Sequence, residues 1–109
     1  MSLTKVLFYK QCELAGLPVP AEEYRFHPTR KWRLDYGFVA QKLAVEVEGG
    51  AFISGRHTRG TGFIKDMEKY NELAIMGWRL LRVTPRQVKD GTAIALVQRA
   101  LGDASRERC

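Results

Sequence analysis

The chain has 109 residues, enough for one domain of ordinary size and too few for two, which excludes two-domain enzymes. An apolar share of 45% against 28% charged residues supplies a core and excludes the polar composition of a disordered chain. With 18 Lys and Arg against 12 Asp and Glu, the net charge is +6, so the expected partner is a polyanion, nucleic acid first.

No stretch approaches the roughly 20 apolar residues that span a bilayer, and the opening residues lack a leader pattern, so a cytoplasmic protein without a membrane partner is expected. Two cysteines, Cys12 and Cys109, are too far apart for a metal knuckle or redox motif, which excludes a cysteine-ligated zinc site and a disulfide scaffold.

In chain order, Leu3, Val6, Leu7 and Leu14 recur at helical spacing. Ser2 is available to cap this helix over residues 3–14 and Gly16 to end it. Pro18 and Pro20 break the chain. Tyr24 and Phe26 alternate with charged neighbours as a short first strand, and His27, Pro28 and Thr29 read as a turn. Trp32, Leu34 and Tyr36 alternate with Arg33 and Asp35, and after a connection over residues 37–42, Leu43, Val45 and Val47 alternate with Ala44, Glu46 and Glu48. These two strands are expected to pair as a hairpin. Gly49 and Gly50 stop the second, and residues 51–62 read as an exposed loop rich in Gly, Ser and Thr that carries Arg56, His57 and Arg59.

Phe63, Met67, Tyr70 and Ala74 follow helical spacing up to Gly77; residues 78–84 are an apolar β-prone run ended by Pro85; Ile94, Val97 and Leu101 give a last helix ending at Gly102. The expected organisation is one domain over residues 1–102 and a frayed polar tail over 103–109. The order of elements implies an antiparallel meander and a crossover helix delivering one more strand, hence an α/β sandwich around one mixed sheet.

Period-2 alternation puts Ala44, Glu46 and Glu48 on one face of their strand. A hairpin closing near Ala40 and Gln41 brings Asp35 opposite or nearly opposite Glu46, with Cβ atoms about 4.5–5.5 Å apart, so that three acids converge. Such a cluster needs a proton or a cation. Mg²⁺ suits it, because that ion takes a few carboxylate oxygens plus water and substrate phosphate. A solvated sheet face, its acids paired with Lys31, Arg33 or Lys42, fits the same spacing.

The segments Arg33-Leu34-Asp35, Leu43-Ala44-Val45-Glu46-Val47-Glu48-Gly49-Gly50 and Gly77-Trp78-Arg79-Leu80-Leu81-Arg82-Val83 together resemble the PD-(D/E)XK, or restriction-endonuclease-like, nucleases. Within them they resemble the small single-domain branch similar to very-short-patch-repair endonucleases and phage-type relatives. The resemblance spans residues 24–85 and implies a three-layer sandwich of αβββαβ core order with a C-terminal helix added. It implies a metal-dependent phosphodiesterase acting on DNA, with Asp35 and Glu46 as metal ligands, Mg²⁺ as the ion and Mn²⁺ able to replace it. Two residues after Glu46, where many members carry Lys, this chain has Glu48. Lys42, Lys65 or Lys69 can take over the lysine's role, or Glu48 can serve as a further metal ligand or general base. The short-patch-repair enzymes carry a Thr-His pair where this chain has Val47 and Glu48.

The loop bearing Arg56, His57 and Arg59 combines cations for phosphates with glycines that let backbone approach closely. His57 has the pKa range for proton transfer, and in the short-patch-repair branch a His just beyond this strand acts at the phosphate. Arg25, Arg30, Lys31 and Arg33 cluster around the entry to the second strand, and Arg30, Lys31 and Arg33, with Lys65, are expected to grip a nucleic-acid backbone. Trp32, among them, reads as core or as a base-stacking surface. Glu13 on the first helix and Asp66 on the second are accessory acids in this reading, and solvated surface acids otherwise.

The function expected is hydrolysis of DNA phosphodiesters by a metal-activated water, as a general nuclease or on branched, mismatched or nicked DNA. The alternative is a non-catalytic nucleic-acid-binding module that retains the fold. A chain this short is expected to carry no separate recognition domain, which favours shape recognition, a homodimer, or a partner protein that supplies targeting.

Overall fold

The computed structural model describes residues 3–49 and 61–107, the side chains of 61–63 and 103–107 excepted. Its elements are α1 (Leu3–Leu14), β1 (Ala21–Tyr24), β2 (Leu34–Phe38), β3 (Leu43–Val47), α2 (Thr61–Ile75), β4 (Arg79–Val83), α3 (Pro85–Lys89) and α4 (Thr92–Glu107). The four strands form one sheet in the order β1-β2-β3-β4. The first two pairings are antiparallel and β3 runs parallel to β4, so α2 is the crossover that a parallel pair requires.

Each face of the sheet buries its own core. Phe8 and Cys12 of α1, Val88 of α3, and Ala93 and Val97 of α4 pack on Tyr36, Phe38, Leu43, Val45 and Val83. On the opposite face Leu73 of α2 packs with Phe26, Leu34, Ala44 and Trp78, with Tyr70 and Met76 beside them. The alternation expected for β3 therefore holds: Leu43 and Val45 serve the first core and Ala44 the second. α2 is closed just beyond Ile75 by Gly77, whose φ of 87° is left-handed. There Trp78 N–H donates to Leu73 O and Gly77 N–H to Ala74 O, the paired bonds that close a helix and turn the chain into β4.

Several expected boundaries are corrected. β1 lies at Ala21–Tyr24, not at residues 24–26; Phe26 leaves the sheet and is buried in the second core. β2 starts at Leu34, not Trp32, because the Trp32 ring stacks on Phe26 at 6.2 Å between centroids with the Arg30 guanidinium 4.0 Å from its own centroid. β2 also continues through Gly37 to Phe38. A Cβ on Gly37 would lie 3.2 Å from Tyr24 Cδ2, so the missing side chain is what lets the Tyr24 ring cross the strand. Leu34 and Tyr36, expected on one face, serve opposite cores. Pro85 does not merely stop the chain. It begins α3 behind Thr84, and Thr84 and Gln87 cap each other reciprocally. The last helix starts at Thr92 and passes Gly102 to Glu107, where a frayed tail was expected, because Gly102 stays helical and the residues after it contain no proline. Among the described residues no helix is long and apolar enough to cross a membrane.

Candidate functional site

At one end of the sheet the β2–β3 ladder runs through the pairs Phe38 with Leu43, Gly37 with Ala44 and Tyr36 with Val45. The next step in this register sets Asp35 against Glu46. There the backbone ladder gives way to side chains: Asp35 N–H donates to Glu46 Oε2 at 2.7 Å, and Val47 N–H donates to Asp35 Oδ2 at 2.7 Å. Each carboxylate accepts a backbone N–H in the way a backbone carbonyl would, which keeps the strands joined beyond the pair of Tyr36 with Val45.

Glu46 is 6% exposed, the one buried charged residue among the described residues. Burial of a carboxylate is tolerable only with strong partners. Two come from α2: Lys69 Nζ donates to Oε1 at 2.7 Å and Tyr70 O–H to the same oxygen at 2.9 Å. On the other side β4 sets Arg82 in register with Glu46. Arg82 Nε donates to Glu48 Oε2 at 2.7 Å, and its guanidinium carbon lies 5.0 Å from the Tyr70 ring centroid. From β1, the pairing of Tyr24 with Leu34 and Glu22 with Tyr36 sets Glu23 level with Asp35. Glu23 has a φ of 51° and pairs with Lys5 of α1. A single row thus crosses the sheet as Glu23, Asp35, Glu46, Arg82.

The electrostatics follow from this crowding. Burial raises the Asp35 carboxyl above the ordinary range; the Val47 N–H opposes that, the Glu46 charge adds to it, Lys5 offsets part and Glu23 adds again. Burial also raises Tyr70, reinforced by the charge of Glu46 and the hydrogen bond to it, so Tyr70 acts as a neutral donor. The hydrogen bond to Glu48 raises Arg82 despite partial burial.

Of the expected site residues, Asp35 and Glu46 are brought together. Glu48 is not the third member: its N–H donates to Val83 O at 2.7 Å, which draws it toward β4 and Arg82, while Asp35 lies on the β2 side. Among the described residues no three His, Cys, Asp or Glu side chains gather as a group able to hold a metal ion, so the three-acid convergence is corrected to a pair. Lys42 lies at the opposite end of β3, four residues or about 13 Å of extended chain from Glu46. There its ammonium donates to Met76 O, and it does not reach the acids.

Arg30, Lys31 and Arg33 are exposed on the segment entering β2, at the same end of the sheet as the acids, and Arg30 also lies 3.9 Å from Glu68. Lys65 and Asp66 are exposed on α2. Glu13 is exposed near the end of α1, 3.4 Å from Lys10, and it is Lys5, two turns earlier, that brings α1 to the row. Arg56, His57 and Arg59 lie outside the described residues.

Sequence reasoning missed Lys5, Glu23, Tyr70 and Arg82. Tyr70 read as core because its spacing is helical, and it is half core: its ring packs with Leu73 while its hydroxyl serves Glu46. A signal for Arg82 existed in its place two residues after Leu80, but its neighbour depends on the parallel register.

No family model matches the chain, and no curated protein matches it. Among solved structures it is similar to one described as the catalytic domain of the homing endonuclease I-Bth0305I, with a TM-score of 0.63 and 18% identity over 92% of this chain and 94% of that one. The two share a fold. At this identity the likeness speaks for the arrangement of helices and sheet.

Proposed function

We infer that this chain is a metal-dependent endonuclease of the restriction-endonuclease-like class acting on DNA. The observation that carries this reading is the pairing of Asp35 and Glu46 at the end of the sheet, with Lys69 on Glu46 Oε1. The shared fold with a homing endonuclease domain supports it, as does the net charge of +6.

The donor set fits a hard divalent ion. Two adjacent carboxylates offer oxygen ligands, and Asp35, pushed up by burial and by Glu46, gains from a neighbouring positive charge. In this reading Asp35 and Glu46 hold Mg²⁺, or Mn²⁺ in its place. When bound, such an ion polarises a phosphodiester and lowers the pKa of an attacking water. Lys69, arriving from α2 rather than from two residues after Glu46, supplies the cation that faces charge developing on the phosphate. Tyr70 holds Glu46 in place and keeps its proton. Arg30, Lys31, Arg33 and Lys65 contact the backbone of the DNA. Branched, mismatched or nicked DNA is the substrate form that so small a domain can recognise by shape, alone, as a homodimer, or with a targeting partner.

One observation favours a non-catalytic binding module instead: both carboxylates already accept hydrogen bonds from the protein itself. Cleavage of labelled linear, mismatched, nicked and four-way-junction DNA in Mg²⁺, Mn²⁺ or EDTA separates the two. Metal-dependent cutting abolished in Asp35→Asn and Glu46→Gln, with binding retained, is the expected result. Binding without cutting under any metal overturns catalysis and leaves the binding module.

A further inference from the structure

Glu48 and Arg82 stand beside the paired carboxylates without belonging to them. β3 and β4 both reach this end of the sheet with their C-termini, and Glu46 is the register partner of Arg82 on a neighbouring strand about 4.8 Å away. An open cleft of about 230 Å³ is lined here by Glu48, Arg82, Val83 and Thr84. That is below the ~300–1,000 Å³ of sites for drug-sized molecules, and it suits one charged group rather than a whole small ligand.

Arg82 is held in this cleft on two sides. Glu48 accepts its Nε–H at 2.7 Å, and the Tyr70 ring faces its guanidinium carbon at 5.0 Å. Glu48 is itself fixed by its N–H on Val83 O. The bond to Glu48 uses one of the five guanidinium N–H donors; among the described residues the Nη donors make no hydrogen bond, and two of them can meet two oxygens of one phosphate. The side chain is nevertheless 51% exposed. A pair serving stability alone gains little at that exposure. A guanidinium fixed at Nε, half in solvent and next to a row of catalytic-type acids is arranged to receive an anion.

We propose that Arg82, positioned by Glu48, binds a backbone phosphate of the nucleic-acid strand next to the phosphate that lies at Asp35 and Glu46. The proposal rests on the nuclease reading above for its ligand and adds to it a subsite on the outer strand of the sheet. Glu48 is then a positioning residue: it orients Arg82, and its charge is matched within the pair.

The test is the salt dependence of affinity for a short labelled DNA duplex, measured in EDTA so that nothing is cut. Wild type is compared with Arg82→Gln, Arg82→Lys and, as a control on the other side of the molecule, the exposed Arg99→Ala, each checked for a cooperative thermal transition. Arg82→Gln removes the charge and keeps the aliphatic stem and a polar end, which guards against misfolding. Its log–log salt slope is expected to shrink by about 0.9, the value of one phosphate contact, with affinity roughly tenfold weaker at low salt. Arg82→Lys keeps the slope, and Arg99→Ala matches wild type. An unchanged slope and affinity in Arg82→Gln overturn the subsite and leave the nuclease reading standing. An equal loss in Arg99→Ala also overturns it, since the effect is then general charge. Arg82-dependent binding in a protein that cuts under no metal overturns catalysis and upholds the subsite, whereas a wild type that binds no DNA overturns both.

Discussion

Lys69 reaches Glu46 from 23 positions further along the chain and donates to its Oε1 at 2.7 Å. The contact joins the crossover helix to the central strand at the point where β2 and β3 stop pairing. It also sets a cation against the buried Glu46 carboxylate. Both residues are largely withdrawn from water, at 14% and 8% side-chain exposure, so their attraction is weakly screened.

Replacing Lys69 by Met leaves Glu46 with Tyr70 and the Asp35 N–H alone. Loss of a partner from a buried charged hydrogen bond costs about 1–3 kcal/mol, which urea unfolding in EDTA will show. Metal-dependent cutting is expected to fall by about 100-fold or more, the loss typical when one transition-state donor is removed. A Lys69→Met protein that cuts normally sinks the assignment of Lys69.

The raised Asp35 carboxyl makes stability depend on pH with a definite sign. A carboxyl whose folded pKa lies above its unfolded value of about 3.9 holds its proton more tightly in the folded state. Its contribution is therefore full below the unfolded pKa and is lost as pH rises through the folded pKa. Unfolding in EDTA across mildly acidic pH is expected to show this component in the wild type and not in Asp35→Asn. Identical pH profiles for the two proteins contradict it.

Gly37 is required by the Tyr24 ring. With a Cβ placed 3.2 Å from Tyr24 Cδ2 and 3.4 Å from Tyr24 Cβ, Gly37→Ala is expected to destabilise by about 1 kcal/mol, and Gly37→Val by more. Chemical denaturation midpoints decide it; a stabilised Gly37→Ala shows that the ring moves aside freely.

The Thr84 side chain accepts from Gln87 N–H at 3.2 Å while Gln87 Oε1 accepts from Thr84 N–H at 3.0 Å. Thr84→Ala removes half of this box and is expected to cost about 1 kcal/mol, with Thr84→Ser close to wild type. Equal stabilities for all three proteins mean that α3 is held by Val88 in the core alone.

What could be read ahead of the structure divides by the range of the interaction. The alternation of Leu43, Val45 and Val47 against Ala44 and Glu46 is a period-2 signal within one strand, and hairpin arithmetic was enough to set Asp35 against Glu46. The Thr84-Pro85-Arg86-Gln87 cap is legible too, in a threonine and a glutamine three residues apart around a proline at the first helical position. Glu48 was misplaced because its partner depends on how β3 meets β4 in parallel, and no local pattern sets that register. Lys69 is one of three lysines the sequence offers as a cation here, and helix packing selects it; Tyr70 and Lys5 reach the row the same way, where an apolar stripe and a cation look the same in sequence as on any surface helix. Trp32 and Leu34 misled for a different reason: they alternate like a strand, and the stack of Arg30, Trp32 and Phe26 overrides that alternation.

The replacement of backbone carbonyls by two carboxylates at the end of the β2–β3 ladder ties assembly to alignment. A slip of β3 by one residue would turn Glu46 into the face now filled by Val45 and bring Val45 against Lys69 and Tyr70. That arrangement buries a charge among Phe8, Tyr36 and Val97 and strands a lysine, so it is excluded as a compact state. The acids therefore act as an alignment key: a chain that has folded at all has its carboxylates side by side.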